Sequence, residues 1–198
     1  MNIAVITGAS SGLGLEYVKA VYETRTDLDE IWIIARRKDR LEKISSDIGS
    51  TVIPLAFDIT DSDSVKKYTE LLKEKGAEVK LLINNAGFGK LGDFDKISAE
   101  DNAGMVRLNC EALTVITSVT LPFMNSGGEI INTCSIASFA PNTRMAVYSS
   151  TKAYVMSFSR ALNIELKNRK INVLAVCPGP MDTEFLGIAN INDGVSRT

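Results

Sequence analysis

Apolar and polar positions change rhythm along this chain in a regular way. Short apolar runs at residues 2–7, 31–35, 51–57, 80–84, 128–133 and 171–176 have strand length, the first closing on Gly8 and the last on Pro178-Gly179. Between them lie stretches of helical spacing. Residues 12–25 carry Leu13, Val18 and Val21 on one side, residues 39–48 stop at Gly49, and residues 61–75 start acidic and end at Lys75-Gly76. Ser98 followed by Asp101 resembles a capping box and opens a long helix running towards Pro122. A further helix is expected over residues 144–167. Strands alternating with helices predict βαβ units with right-handed crossovers. The expected fold is α/β, a doubly wound parallel sheet of six strands with helices on both faces. Ligands of such sheets bind outside the carboxyl ends of the strands, where the strand order switches. Every unusual residue cluster of this chain falls at such an end.

Length and composition narrow the function. The 198 residues, 45% hydrophobic and 23% charged, fit one globular domain over residues 1–198 and exclude collagen-like or disordered chains. With 22 basic and 24 acidic side chains the net charge is −2, which argues against nucleic-acid partners. There is no histidine, which excludes Ser-His-Asp or Cys-His catalysis and His-ligated metal. Cys110, Cys134 and Cys177 form no C-x-x-C pair, so reduced, buried thiols are expected rather than a zinc site or a disulfide framework. No apolar run approaches the ~20 residues that span a bilayer, and the N-terminus lacks a basic signal segment. These features point to a cytoplasmic enzyme or binding module without metal or membrane partner.

Three clusters carry candidate chemistry. Thr7-Gly8-Ala9-Ser10-Ser11-Gly12-Leu13-Gly14 follows the first strand and opens the first helix. Its glycines allow a sharp turn and a close approach, and the helix N-terminus offers free N–H groups to a pyrophosphate; the alternative is a plain tight turn. Tyr148 and Lys152 stand four residues apart, on one face of a helix. An ammonium there lowers a phenol's pKa and makes it a proton donor and acceptor for a carbonyl or alcohol; the alternative is a surface pair. Ser135, thirteen residues before Tyr148, could hydrogen-bond the substrate oxygen or serve as a turn residue. Asn109 has poor helix propensity and could be a satisfied core residue or hold a water against Lys152. Cys134, beside Ser135, is read as packing, and the stripe of Met105, Val106, Leu113 and Ile116 as core or subunit interface.

The G-x-x-x-G-x-G spacing of Gly8, Gly12 and Gly14, with its leading Thr7, resembles the short-chain dehydrogenase/reductase family. Asn84-Asn85-Ala86-Gly87, the set Asn109, Ser135, Tyr148 and Lys152, and Pro178-Gly179-Pro180-Met181-Asp182-Thr183 match the family's remaining motifs in order, so the likeness covers nearly the whole chain. It implies a Rossmann-like fold and reversible hydride transfer between a nicotinamide cofactor and a carbonyl/alcohol pair. Tyr148 would be the general acid/base and Ser135 would orient the carbonyl. Lys152 would bind the nicotinamide ribose and depress the Tyr148 pKa, and Asn109 would support a proton-relay water. Cofactor contacts would come from Gly8, Ser10, Ser11, Gly12, Leu13 and Gly14 around the pyrophosphate and from Asn85, Ala86 and Gly87 on the ribose side. Asp58 and Ile59 would lie at the adenine. Tyr148, Lys152, Pro178, Gly179, Met181 and Thr183 would lie at the nicotinamide. Asp58 could equally be a helix N-cap or turn residue.

The second strand ends in Ala35-Arg36-Arg37-Lys38 rather than in a carboxylate, which favours NADP(H), with NAD(H) as the alternative. Arg36 is the first candidate, Arg37 the second, and Lys38 is read as a solvated helix start. The chain departs from the resemblance at its end, where only residues 184–198 follow the last motif. Either the C-terminal helix and last strand are missing from a partial sequence, or the six-stranded sheet leaves an open cleft with residues 184–198 as part of a substrate lid. The partner implied is a small-molecule carbonyl or alcohol, and a homodimer or homotetramer is possible by pairing of the long helices. Phe88, Ser138, Phe139, Ala140, Met145 and Phe185 are the candidate apolar wall for a bulky ketone or aldehyde. A dinucleotide-binding sensor without turnover is the competing function.

Overall fold

A computed structural model describes residues 1–180 of the chain. Six parallel strands form one sheet in the order β3-β2-β1-β4-β5-β6. They are β1 (Asn2–Thr7), β2 (Glu30–Ala35), β3 (Val52–Ala56), β4 (Glu78–Asn84), β5 (Glu129–Thr133) and β6 (Asn172–Val176). The order runs outward in both directions from the β1–β4 pair, so the switch lies there. The helices are α1 (Gly12–Thr24), α2 (Lys38–Ile48), α3 (Ser62–Glu74), α4 (Ala99–Val106), α5 (Leu113–Thr120) and α6 (Ala146–Glu165). Every expected strand and helix is present, with ends displaced by up to two residues. The Ser98 side chain caps α4 by accepting from the Asp101 N–H at 3.0 Å, and Asp61 caps α3 in the same way through Ser64.

The alternation of side chains along β1 divides the core. Ile3 and Val5 face one side with Trp32, Ile34, Tyr68 of α3 and Ile116 of α5. Ala4 and Ile6 face the other with Ile31, Ile33, Val18 of α1 and Leu41 of α2. A smaller cluster of Leu113, Cys134 and Val155 seats α6 beside α5. Burial of near-continuous apolar strands on both faces is what a parallel sheet requires. Tyr68 packs edge-on against Trp32 and hydrogen-bonds Thr120 at 2.7 Å, so its hydroxyl is satisfied in the core. In the expected stripe, Met105, Leu113 and Ile116 are core, whereas Val106 is half exposed.

One feature of the long helix was not legible in the sequence. Between α4 and α5, residues Arg107–Ala112 form a π-helical turn, and Asn109 sits inside it, buried. Such insertions alter which side chains of a helix face inward and cluster at functional sites.

Candidate active site

The site is assembled where the loops after β1 and β4 cross. Gly8 has φ +67°, and a Cβ there would stand 2.7 Å from the Ala86 Cα, so the glycine-rich turn and Asn84-Asn85-Ala86-Gly87 touch backbone to backbone. Thr7 ties them: its hydroxyl oxygen accepts from the N–H groups of Asn85 at 3.1 Å and Ala86 at 3.2 Å. The Asn85 side chain donates to the Gly8 carbonyl at 3.2 Å and accepts from the Thr133 hydroxyl at 3.3 Å. Its amide therefore joins the ends of β1, β4 and β5. Gly14, expected among the cofactor contacts, does not reach the cavity wall. A Cβ there would lie 2.1 Å from the Gly8 carbonyl oxygen, so this glycine lets α1 close against the turn.

Along this crossing runs a cavity of roughly 870 Å³, within the usual size of ligand sites. Gly8, Ser10, Ser11, Gly12 and Leu13 line it, as do Asn85, Ala86 and Gly87 and, farther on, Pro178 and Gly179. Arg36, Arg37, Asp58 and Ile59 stand on the wall beyond β2 and β3. The two arginines differ. Arg37 donates to the hydroxyls of Ser10 and Ser11, both at 2.9 Å, and so braces the glycine-rich turn. Arg36 makes no hydrogen bond or ion pair among the described residues and lies on the cavity wall. Lys38 lies 3.5 Å from Glu42 on the exposed face of α2, as expected of a solvated helix start. Asp58 forms a turn by accepting from the Thr60 N–H at 2.9 Å and hydroxyl at 2.7 Å; both bonds fall on Oδ1. It is not the helix cap, which is Asp61.

Ser135, Tyr148 and Lys152 meet in the same cavity. Ser135 follows β5 in extended conformation, and its hydroxyl oxygen accepts from the Ala137 N–H at 3.1 Å. It also stands close enough to the Tyr148 phenol to lower its pKa. Tyr148 and Lys152 lie one turn apart on α6, with the ammonium 5.8 Å from the phenol ring centre. Lys152 is buried and donates to the Thr133 carbonyl at 2.8 Å. Burial brings its pKa down from 10.5 to about 8. Burial pushes the Tyr148 phenol up, only partly offset by the neighbouring Ser135 hydroxyl. The sequence predicts a depression of Tyr148 by Lys152; in the protein alone burial raises the phenol, and the ammonium is aimed at the Thr133 carbonyl.

Asn109 stands behind the cavity rather than on its wall. Its Oδ1 accepts from the Phe88 N–H at 3.0 Å, while Nδ2 donates to the Phe88 carbonyl at 2.9 Å and to the Thr151 hydroxyl at 3.0 Å. Both amide hydrogens are committed. Thr151 in turn donates to the Tyr148 carbonyl at 2.7 Å. Asn109 therefore locks the loop after β4 to the turn of α6 that carries Tyr148. Gly87 permits the fit, since a Cβ there would lie 3.0 Å from the Asn109 Oδ1 and 3.6 Å from the Lys152 Nζ. Thr151→Val keeps the shape and strands a buried amide donor, so unfolding free energy should fall by roughly 1–3 kcal/mol. Thr151→Ser should recover most of the loss in the same urea titration. No loss in Thr151→Val would show that the hydroxyl's bonds to Asn109 and to the Tyr148 carbonyl add nothing to stability.

Of the expected apolar wall, Phe88 and Met145 line the cavity. Ser138, Phe139 and Ala140 do not: Phe139 is 70% exposed, and the Ser138 hydroxyl donates to the Ser135 carbonyl at 2.7 Å. The short 3₁₀ turn Ile136–Ser138 presents Ile136 and Ala137 to the cavity instead. Met181, Thr183, Phe185 and the segment 184–198 lie outside the described residues. Thr133 and Thr151, and the tying role of the motif's Thr7, were missed in the sequence, because a threonine hydroxyl's partner is set by tertiary contact.

The model of the short chain dehydrogenase family matches residues 2–193. A probable NADP-dependent dehydrogenase of Haemophilus influenzae is 38% identical over 189 residues, 93% of this chain and 74% of that protein. A serine 3-dehydrogenase of Agrobacterium fabrum is 33% identical over 187 residues, 91% of this chain and 72% of that protein. Among solved structures, a short-chain dehydrogenase of Sphingobium yanoikuyae in complex with NADPH superposes with a TM-score of 0.86 at 31% identity, covering 96% of this chain and 76% of that one. The chain belongs to the short-chain dehydrogenase family and is an oxidoreductase on a Rossmann-like sheet.

Proposed function

We propose that the protein transfers hydride reversibly between NADP(H) and the carbonyl/alcohol pair of a small molecule, in the cytoplasm. The observation that carries this is the convergence of Ser135, Tyr148 and Lys152 on the cavity that the glycine-rich turn opens. The nicotinamide, when bound, supplies or accepts the hydride. In the reducing direction the Tyr148 hydroxyl donates its proton to the carbonyl oxygen, and in oxidation it takes the proton back. The Ser135 hydroxyl, on the cavity wall beside Tyr148, donates to the same oxygen and fixes its position. Lys152 holds a positive charge beside the phenol, which offsets the phenolate that forms when the proton leaves. Asn109 acts through the Phe88 loop and Thr151; its committed amide leaves only acceptor capacity for a relay water. No helix among the described residues is long and apolar enough to cross a membrane.

The cavity residues fit the cofactor. Gly8 lets the backbone approach closely, the turn enters α1, and Asp58 keeps Oδ2 for an adenine amino group. Arg36 fits the 2′-phosphate of NADP(H), and the named relatives that use or bind this form agree with the assignment. A charge-assisted hydrogen bond contributes roughly 1.5–3 kcal/mol, about 10- to 150-fold in affinity. Wild type should bind NADPH more tightly than NADH by that margin, less so at high salt. Arg36→Asp should narrow or invert the preference. Fluorescence titration with both cofactors checks this, and equal wild-type affinities would make Arg36 a solvated helix residue. Turnover itself is tested by a panel of carbonyls and alcohols followed by nicotinamide absorbance. A sensor would bind cofactor and turn over none of them.

A further inference from the structure

We propose that Cys134 and Cys177 form a redox-sensitive pair, converted by a peroxide to a disulfide that disables the site beside it. Cys134 directly follows β5 and Cys177 directly follows β6. The parallel ladder between these strands continues past their ends: Cys134 N–H donates to the Val176 carbonyl at 2.7 Å and Ile136 N–H to the Pro178 carbonyl at 3.1 Å. With Thr133 registered on Val176, this continuation sets Cys134 directly opposite Cys177. Opposed residues of neighbouring strands lie about 4.8 Å apart and point to the same face. A disulfide needs a Cα–Cα separation of roughly 4.4–6.8 Å, and this strand spacing falls within it. The two side chains share the apolar cluster beneath α6, with the Cys134 thiol on the Lys152 carbonyl at 3.0 Å and the Cys177 thiol on the Ala175 carbonyl at 4.0 Å. The third cysteine, Cys110, sits on the π-helical turn, with its thiol on the Thr151 carbonyl at 3.8 Å.

The chemistry balances with the peroxide as sole oxidant. The half-buried Cys177 is the more accessible thiol. Its thiolate attacks a peroxide oxygen, the O–O bond breaks, and hydroxide leaves to become water, giving a sulfenic acid. The Cys134 sulfur then attacks that sulfur, the S–O bond breaks, and a second water leaves with the Cys134 proton. Two thiols are oxidised and one peroxide is reduced to two waters. Burial and the neighbouring Cys134 push the Cys177 thiol up, so it is mostly protonated at neutral pH and oxidation is slow.

The consequence for the site follows from the neighbours. Cys134 donates to the Lys152 carbonyl at 3.0 Å and immediately precedes Ser135. Cys177 immediately precedes Pro178-Gly179 on the cavity wall. Drawing the sulfurs to bonding distance removes the thiol donor from α6 and pulls both loops together.

The test treats the full protein with hydrogen peroxide, then measures mass, cross-linked peptides, NADPH affinity and turnover, before and after dithiothreitol. Wild type should lose two hydrogens, yield a Cys134–Cys177 cross-linked peptide, and lose turnover by about 10²-fold, the scale of an ångström-level misplacement. Reductant should restore it. Cys177→Ser and Cys177→Ala, each normalised to its own reduced form, should resist, while Cys110→Ser should stay sensitive. The absence of the cross-linked peptide overturns the proposal. So does a cross-link that leaves both affinity and turnover unchanged, or equal inactivation of the Cys177 variants. The turnover readout rests on the roles given above to Ser135 and Lys152; mass and cofactor affinity do not. A protein that forms the link and loses NADPH affinity, yet never turned over a carbonyl when reduced, supports the pair and refutes the catalytic reading instead.

Discussion

Tyr148→Phe should lower turnover by at least ~10²-fold, the lower end of what a positioned acid or base contributes, while leaving NADPH affinity nearly unchanged. The substitution keeps the ring, so the packing of this buried side chain on α6 persists. Only the hydroxyl beside Ser135 is lost, and Ser135 keeps its bond from the Ala137 N–H. Burial already favours the neutral phenol, so the variant exchanges one neutral buried ring for another and should fold normally. Ser135→Ala should reduce turnover less, because it removes an orienting donor and leaves the proton source in place. The measurement is kcat with saturating cofactor on any substrate from the carbonyl panel, beside a fluorescence titration. Unchanged turnover in Tyr148→Phe would remove the acid/base assignment, and lost cofactor affinity would turn the hydroxyl into a binding group.

How far the sequence carried depends on whether a feature is local. The strands were legible because a parallel sheet buried on both faces writes itself as short apolar runs, and β1, with all but Asn2 and Thr7 apolar, is the clearest of them. The glycine-rich turn was legible because Gly8 and Gly12 both adopt positive φ, which glycine alone tolerates freely. Gly14 was legible as necessary but not as to why: the atom it avoids is the Gly8 carbonyl, six residues back in the chain. The π-helical turn at Asn109 has no periodicity of its own and emerges only from the packing of α4 and α5 against Phe88 and α6. Thr7 and Thr133, which lace β1, β4 and β5 together, are ordinary strand residues until the register is known. The Lys152 ammonium was expected to act on Tyr148. The register of α6 against β5 aims it at the Thr133 carbonyl and buries it, and burial then decides both pKa directions.

That burial leads to the second large effect: Lys152→Met should abolish efficient turnover and yet stabilise the protein near pH 7. The Lys152 pKa falls from 10.5 to about 8 on folding, a difference worth about 3 kcal/mol at 1.36 kcal/mol per unit. The sign follows from proton counting. Below pH 8 both folded and unfolded chains hold the proton, and the full desolvation cost of the charge weighs on the folded state. Between pH 8 and 10.5 the unfolded chain keeps the proton while the folded chain sheds it, so wild-type stability rises with pH across this window. Above about 10 the buried Tyr148 and Tyr68, both pushed up by desolvation, act in the opposite direction, because the unfolded chain ionises first. Methionine is close to lysine in length and carries no charge, so the variant removes the cost but also the bond to the Thr133 carbonyl. The net gain near pH 7 should be about 1–2 kcal/mol, the desolvation term less one lost hydrogen bond. Urea unfolding of both proteins at pH 7 and at pH 9.5 measures it, and the gap should shrink at the higher pH as the wild-type lysine becomes neutral. A variant less stable at pH 7, or a gap independent of pH, would show that the Thr133 bond outweighs desolvation and that the buried ammonium stabilises the fold it serves.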